Sequence, residues 1–179
     1  MCALENNAEW DLVVVDLRKG EQKSAAHLAR QPFGQIPAIQ DGDLSFYESR
    51  AITRYVNETR GGKLTPASVG DRARMEQWIS LEQGTISPDV AEIVKQRVFT
   101  PMFGGKADEE IVKKHAEKAK VALDVMNKHL ERYAFLAGES FSLADVFYMS
   151  VATQNTSEAH LRALHSGLML PVRLLSELS

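Results

Sequence analysis

The stretch from Gln31 to Tyr55, QPFGQIPAIQDGDLSFYESRAITRY, constrains the fold more than any other part of the chain. It reads as a loop, a strand entered through an X-Pro step, a tight hairpin, a second strand and a helix opening on Glu48-Ser49. Pro37-Ala38-Ile39-Gln40 and Leu44-Ser45-Phe46-Tyr47 are joined at Asp41-Gly42. Asp-Gly between apolar runs is a strong hairpin signal, because both turn positions tolerate φ > 0. Past Ser49, the residues Ala51, Ile52, Tyr55 and Val56 fall at helical spacing, and Gly61-Gly62 stops the helix. A helix that starts directly after a strand presents unpaired N–H groups and the positive end of a dipole, which attract carboxylates. The stretch is therefore a candidate site for a small acidic ligand.

Upstream, Met1 to Asn7 reads as the end of a helix. Leu12-Val13-Val14-Val15 reads as a fully buried strand, and a short helix is expected near Ser24 to Leu28. Residues 61–70, with Gly61, Gly62, Pro66 and Gly70, form the natural linker. Everything after it is helical in character. The first helical stretch, Asp71 to about Phe99, carries Met75, Trp78, Ile79, Ile86, Val90, Ile93 and Val94, with Pro88 expected to kink it or end its first part. From Asp108 to Tyr133 the apolar positions Val112, Ala116, Ala119, Leu123, Met126, Leu130 and Tyr133 advance by alternating steps of 4 and 3, an amphipathic stripe. Lys113, Lys114, Lys118, Lys120 and Lys128 lie off that stripe and read as a solvated face. Ser142-Leu143-Ala144-Asp145 is a capping box with Asp in place of Glu: Ser142 can accept from the N–H three residues on, and Asp145 can reach back. The tail from His160 to Leu178 holds one helical pattern broken by Gly167 and Pro171.

The composition narrows the function. With 21 basic and 24 acidic residues the net charge is −3. Nucleic-acid or membrane-surface binding needs a basic excess, so neither is expected as a partner. The apolar runs are too short to span a bilayer, and the N-terminal residues lack the charged and apolar regions of a secretory signal. Cys2, the one cysteine, allows no internal disulfide. A cytoplasmic location fits this best. The five histidines, His27, His115, His129, His160 and His165, show no ligand spacing, and no metal is expected.

The segments AEWDLVVVDLRKGEQKS, HLARQPFGQIPAIQDGD, LSFYESRAITRYV, WISLEQGTISPDVAEIVKQRVFTPMFG and FLAGESFSLADVFYMS together resemble the cytosolic glutathione S-transferases, most closely the plant phi class. The resemblance implies an α/β plus all-α fold: a thioredoxin-like N-terminal domain over residues 1–60, incomplete at its start, a linker over 61–70 and the helical transferase domain with its electrophile pocket over 71–179. It implies a transferase that joins the glutathione thiol to small hydrophobic electrophiles in detoxification, with glutathione as substrate and a homodimer as the working form. Carried over by position, Ile36-Pro37 is expected to be cis, and the backbone of Gln35 and Ile36 to pair with the cysteinyl part of glutathione. Ser49 is expected to hold the γ-glutamyl carboxylate and Glu48 its ammonium. Lys23 matches the lysine that meets the glycine carboxylate, while Gln22 stands where the family has histidine, which implies a weakened contact. Phe33 matches an aromatic residue that plugs the partner subunit. Pro37, Ser142 and Asp145 are expected to be structural.

The phi class keeps its catalytic serine just after the first strand. Met1 falls within what resembles the end of the helix that follows, so the resemblance assigns no catalytic residue to this chain. The alternative expectation is a catalytically impaired protein that binds glutathione or a hydrophobic ligand, or serves as a dimerisation module.

Overall fold

The computed structural model describes residues 2–153. The expectation for the tail, His160 to Leu178, lies outside them. The chain divides into two compact units, residues 1–65 and 66–179.

The first unit opens with the short helix α1 (Cys2–Glu5), a 3₁₀ turn (Glu21–Lys23) and the one-turn helix α2 (Ala25–Leu28). Ser24 caps α2 by accepting the His27 N–H at 3.3 Å. Then come strands β1 (Ala38–Asp41) and β2 (Leu44–Tyr47) and helix α3 (Ser49–Thr59). The strands are antiparallel, with Ala38 opposite Tyr47 and Asp41 opposite Leu44. This register moves the turn by one residue from the sequence expectation, because Asp41 is the last paired residue and the two loop positions are Gly42 and Asp43. Of these two, only Gly42 needs a positive φ, at 57°. Helix α3 is tied to the hairpin by Tyr55, whose ring lies 4.4 Å from that of Phe46 and whose hydroxyl donates to Asp41 Oδ2 at 2.9 Å. Of the predicted helical face, Ile52, Tyr55 and Val56 are half-buried and Ala51 is exposed.

Leu12–Val15 corrects the sequence reading. The segment forms no strand, and Leu12, Val13 and Val14 are 80%, 75% and 78% exposed. A β-branched run becomes a buried strand only where a neighbouring strand satisfies its backbone and a second layer covers its faces. Among the described residues the sheet consists of β1 and β2 alone, and neither pairs with this segment.

The second unit is helical. Helix α4 (Val69–Leu81) leads through a π-helical turn (Glu82–Ile86) into α5 (Ser87–Val94), and a second π-helical turn (Lys95–Phe99) leads into α6 (Thr100–Met102). Both prolines sit in the first turn of the helix after a π turn, Pro88 in α5 and Pro101 in α6. There the missing N–H costs least. Helix α7 (Glu109–Leu130) starts at Asp108, whose carboxylate accepts the N–H groups of Glu110 and Ile111. It buries Val112, Ala119, Ala122, Leu123 and Met126, and its lysines stand on the exposed face. Helix α8 (Leu143–Thr153) follows. The predicted box at its start reaches back as expected, with Asp145 Oδ2 accepting the Ser142 N–H at 2.9 Å. The Ser142 hydroxyl donates to the same oxygen at 2.9 Å, and Oδ1 accepts the Leu136 N–H at 2.9 Å. The carboxylate thus closes a buried turn as well as capping a helix. The core of this unit is built from Met75, Trp78, Ile79, Ile86, Ile93, Leu123, Met126, Leu143 and Phe147. No described helix is long and apolar enough to cross a membrane.

Candidate functional site

The hairpin register brings the two halves of the predicted site together. The ladder ends at the Ala38–Tyr47 pair, with Ile36-Pro37 leading into one arm and Glu48-Ser49 following the other. The open end of the hairpin therefore carries the Ile36–Pro37 step on one arm and the start of α3 on the other. The Ile36–Pro37 peptide is cis. Ile36 is 49% exposed, and among the described residues neither its N–H nor its C=O is engaged by a hydrogen bond.

Glu48 is the N-cap residue of α3 and has φ 71° and ψ 113°, a conformation that L residues rarely adopt. Such a residue costs on the order of 1–3 kcal/mol and persists only where its surroundings hold it. Its carbonyl accepts the Ile52 N–H at 3.0 Å, which starts the helix. The Glu48 and Ser49 side chains are exposed at this start.

The 3₁₀ turn supplies the other edge. Lys23 Nζ donates to the Phe33 carbonyl at 2.9 Å, and its stem runs over Gly34. A Cβ on Gly34 would fall 2.6 Å from Lys23 Nζ and 2.9 Å from the Gln22 carbonyl, and the glycine has φ 61°, so no side chain fits there. Gln22 Oε1 is buried with no hydrogen-bond partner among the described residues. Phe33 is 63% exposed and makes an edge contact with Tyr47 at 6.0 Å, joining the 33–35 loop to the hairpin. Gln22, Lys23, Gln35, Ile36, Glu48 and Ser49 thus lie in one unit, linked through this loop.

Two residues of this region carried no motif in the sequence. Gln31 is buried and its Oε1 accepts the N–H groups of Phe33 at 2.7 Å and Gln35 at 3.2 Å. His27 is also buried and pairs through Nε2 with the Gln35 carbonyl at 2.7 Å. Pro32, directly after Gln31, has no N–H, so the first amides able to turn inward are those beyond it. A glutamine beside a proline in a loop has no pattern that marks it as buried.

Cys2 is no candidate nucleophile. Burial pushes its thiol up from the ordinary value, and its Sγ lies 3.4 Å from the Thr53 carbonyl. Among the described residues no group of His, Cys, Asp and Glu could hold a metal ion. In the helical unit an open concavity of about 410 Å³ at the end of α7 is lined by Lys128, His129, Glu131, Arg132 and Tyr133, none of them among the site residues.

A hairpin and helix start of this kind, followed by an all-helical unit, define a two-domain protein with a thioredoxin-like N-terminal part. The sequence matches the family Glutathione S-transferase, N-terminal domain, over residues 2–58, and Glutathione S-transferase, C-terminal domain, over residues 90–158. It is 39% identical over 149 residues to glutathione S-transferase F9 of Arabidopsis thaliana, covering 82% of this chain and 69% of the relative. Glutathione transferase F7 from Populus trichocarpa superposes with a TM-score of 0.83 at 32% identity, covering 98% of this chain and 90% of the other. Glutathione S-transferase I from maize, solved in complex with an atrazine glutathione conjugate, superposes with a TM-score of 0.79 at 32% identity, covering 98% and 88%. The chain belongs to the glutathione S-transferase family, among the plant phi-class relatives.

Proposed function

We propose that the chain binds glutathione at the open end of the hairpin and, as a phi-type transferase, joins its thiol to small hydrophobic electrophiles in detoxification. The observation that supports this reading is the hairpin, whose last pair, Ala38 and Tyr47, is preceded by the cis Ile36–Pro37 step and followed by Glu48 and the start of α3. Ile36, with Gln35, pairs with the cysteinyl backbone as an added strand would. Ser49 receives the γ-glutamyl carboxylate with its hydroxyl and N–H, where the helix dipole favours an anion, and Glu48 takes the ammonium. Lys23 and Gln22 meet the glycine carboxylate. The electrophile meets the helical domain, where Val98, Phe99 and Phe103 are exposed along the α5–α6 run. The domains are those read from the sequence, residues 1–60 and 71–179 joined by 61–70. The protein works as a cytoplasmic homodimer, with Phe33 at the subunit contact, and needs no metal.

A second reading is a glutathione-binding module without conjugating activity. It is favoured by the chemistry of the assigned residues, which contact the two carboxylates, the ammonium and the backbone of the tripeptide but not its sulfur. A thiol's pKa falls from about 8.5 only where a donor or positive charge stands near it.

Retention on immobilised glutathione, with elution by free glutathione, tests the site. A conjugation assay with chlorodinitrobenzene separates the two readings. Retention with conjugation supports the transferase, and retention without it supports the binding module. A chain that glutathione neither retains nor elutes overturns both.

A further inference from the structure

We propose that Gln31 is a positioning residue of this site and sets how strongly the glycine end of the tripeptide is read; this rests on the glutathione reading above. Gln31 is 1% exposed, so it cannot touch a ligand itself. Its backbone C=O and side-chain Oε1 face the loop that follows it, and its N–H ties it back to α2. The backbone N–H donates to the His27 carbonyl at 2.9 Å, the backbone C=O accepts the Gly34 N–H at 3.0 Å, and Oε1 accepts the Phe33 and Gln35 N–H groups. The loop from Pro32 to Gln35 is wound around one side chain.

That loop carries two ligand-facing features. The Phe33 carbonyl is the anchor of the Lys23 ammonium, whose stem fits over Gly34 because no Cβ is there. Gln35 is fixed at both ends, by Gln31 on its N–H and His27 on its C=O, and leads directly into Ile36. Removing the Gln31 acceptor therefore frees two loop amides at once, those of Phe33 and Gln35. It loosens the peptide on which Lys23 rests more than the Ile36 arm, which keeps its His27 contact and the hairpin. The predicted consequence is selective. The glycine carboxylate, read by Lys23, loses more than the γ-glutamyl end, read at the start of α3.

The test compares glutathione with γ-glutamylcysteine, which lacks the glycine, by titration calorimetry on the full chain. The proteins are wild type, Gln31→Leu, Lys23→Met and the double variant. In Gln31→Leu the affinity for glutathione is expected to fall on the order of tenfold, the worth of about one to two hydrogen bonds. The affinity for the dipeptide falls less, so the preference for glutathione shrinks. Added to Lys23→Met, the Gln31 change leaves that preference where Lys23→Met alone put it. Gln31→Glu, which keeps an acceptor oxygen at the same reach, restores most of the preference. Should Gln31→Leu fail to fold, Gln31→Asn, which withdraws the amide by one methylene, takes its place and is expected to shrink the preference in the same direction. If wild type binds glutathione and the preference is unchanged in these variants, the Gln31 role is overturned while the site stands. An equal loss for both ligands also overturns it. If wild type binds neither ligand, the site falls and this role with it.

Discussion

The two units are held by different kinds of buried group. Among the described residues, the helical unit buries seventeen apolar side chains, from Met75 through Tyr148, and four polar ones, Glu82, Gln96, Ser142 and Asp145. Among its described residues the first unit buries only Cys2 and Leu64 of the apolar ones, against Asn6, His27, Gln31 and Asn57. One unit is a packed apolar core, and the other is a set of loops wound around hydrogen-bonding side chains. Apolar burial scales with area and is indifferent to direction. A buried amide contributes little net stability but tolerates few geometries, because an unmade bond leaves a desolvated group behind. The unit that carries the candidate site is thus specified by direction, whereas the unit beside it in sequence is stabilised by volume.

The sharpest way to break this contrast is to delete apolar side chains in each unit. Leu143→Ala in the helical unit, where the residue is 1% exposed, is expected to cost about 2–5 kcal/mol. Leu12→Ala, at a residue 80% exposed, is expected to change stability by no more than about 0.5 kcal/mol. Urea denaturation of the two variants checks both. An equal cost would mean that Leu12 is covered and that the first unit has an apolar core after all.

A smaller effect tests the polar side of the contrast. Asn57 is fully buried, accepts the Leu64 N–H at 3.0 Å and donates to Thr65 Oγ1 at 3.0 Å. Asn57→Ala is expected to cost about 1–3 kcal/mol, by leaving the Leu64 amide unpaired. A thermal melt that did not move would remove the claim that buried amides organise this unit.

The capping turn of α8 is where the helical unit borrows the other unit's device. Ser142→Ala is expected to cost on the order of 1 kcal/mol, read as a lower melting temperature. Burial raises the Asp145 carboxyl above its usual value, outweighing the hydrogen bonds from Leu136 and Ser142 that pull it down. A carboxyl whose pKa is higher in the folded than in the unfolded chain contributes stability that is fully present below the unfolded pKa and is lost as pH rises through the folded one. The stability difference between wild type and Asp145→Asn is therefore expected to shift toward the Asn variant as pH rises above the ordinary aspartate value of about 3.9, followed by urea midpoints. A shift toward wild type over that range would show that the hydrogen bonds outweigh the burial.

The smallest effect separates stability from binding at one residue. Glu48→Gly relieves the φ 71° conformation and is expected to stabilise the chain by about 1 kcal/mol. It also weakens glutathione binding by removing the carboxylate. Destabilisation by this change would mean that the Glu48 side chain, not the ligand, justifies the strained backbone.

The reach of sequence reasoning follows the same division. The α7 stripe is legible because helix periodicity and a core face share one period, so that Val112, Ala119, Leu123 and Met126 are found buried. The hairpin was legible from its turn residues, although the loop sits one position later, because Gly42 takes the position that needs positive φ. Leu12–Val15 misled because four apolar residues look the same whether or not a sheet receives them. Gln31, His27 and Asn57 were silent, since each is an ordinary polar residue whose burial depends on how the loop a few residues further on turns its backbone groups. The two π turns also left no mark beyond the prolines that follow them.

By itself, then, the sequence determined where helices start, where the hairpin turns, which residue types stand at the candidate site and which family they resemble. Those properties reside in a few neighbouring residues and in their spacing along the chain. Only the tertiary structure decided that an apolar run would lie in solvent, that Glu48 would be held in a costly conformation and that one glutamine would gather the loop beneath the site. Each of those depends on how the backbone around the residue is finally placed, and burial and hydrogen-bond direction exist only once the chain has folded.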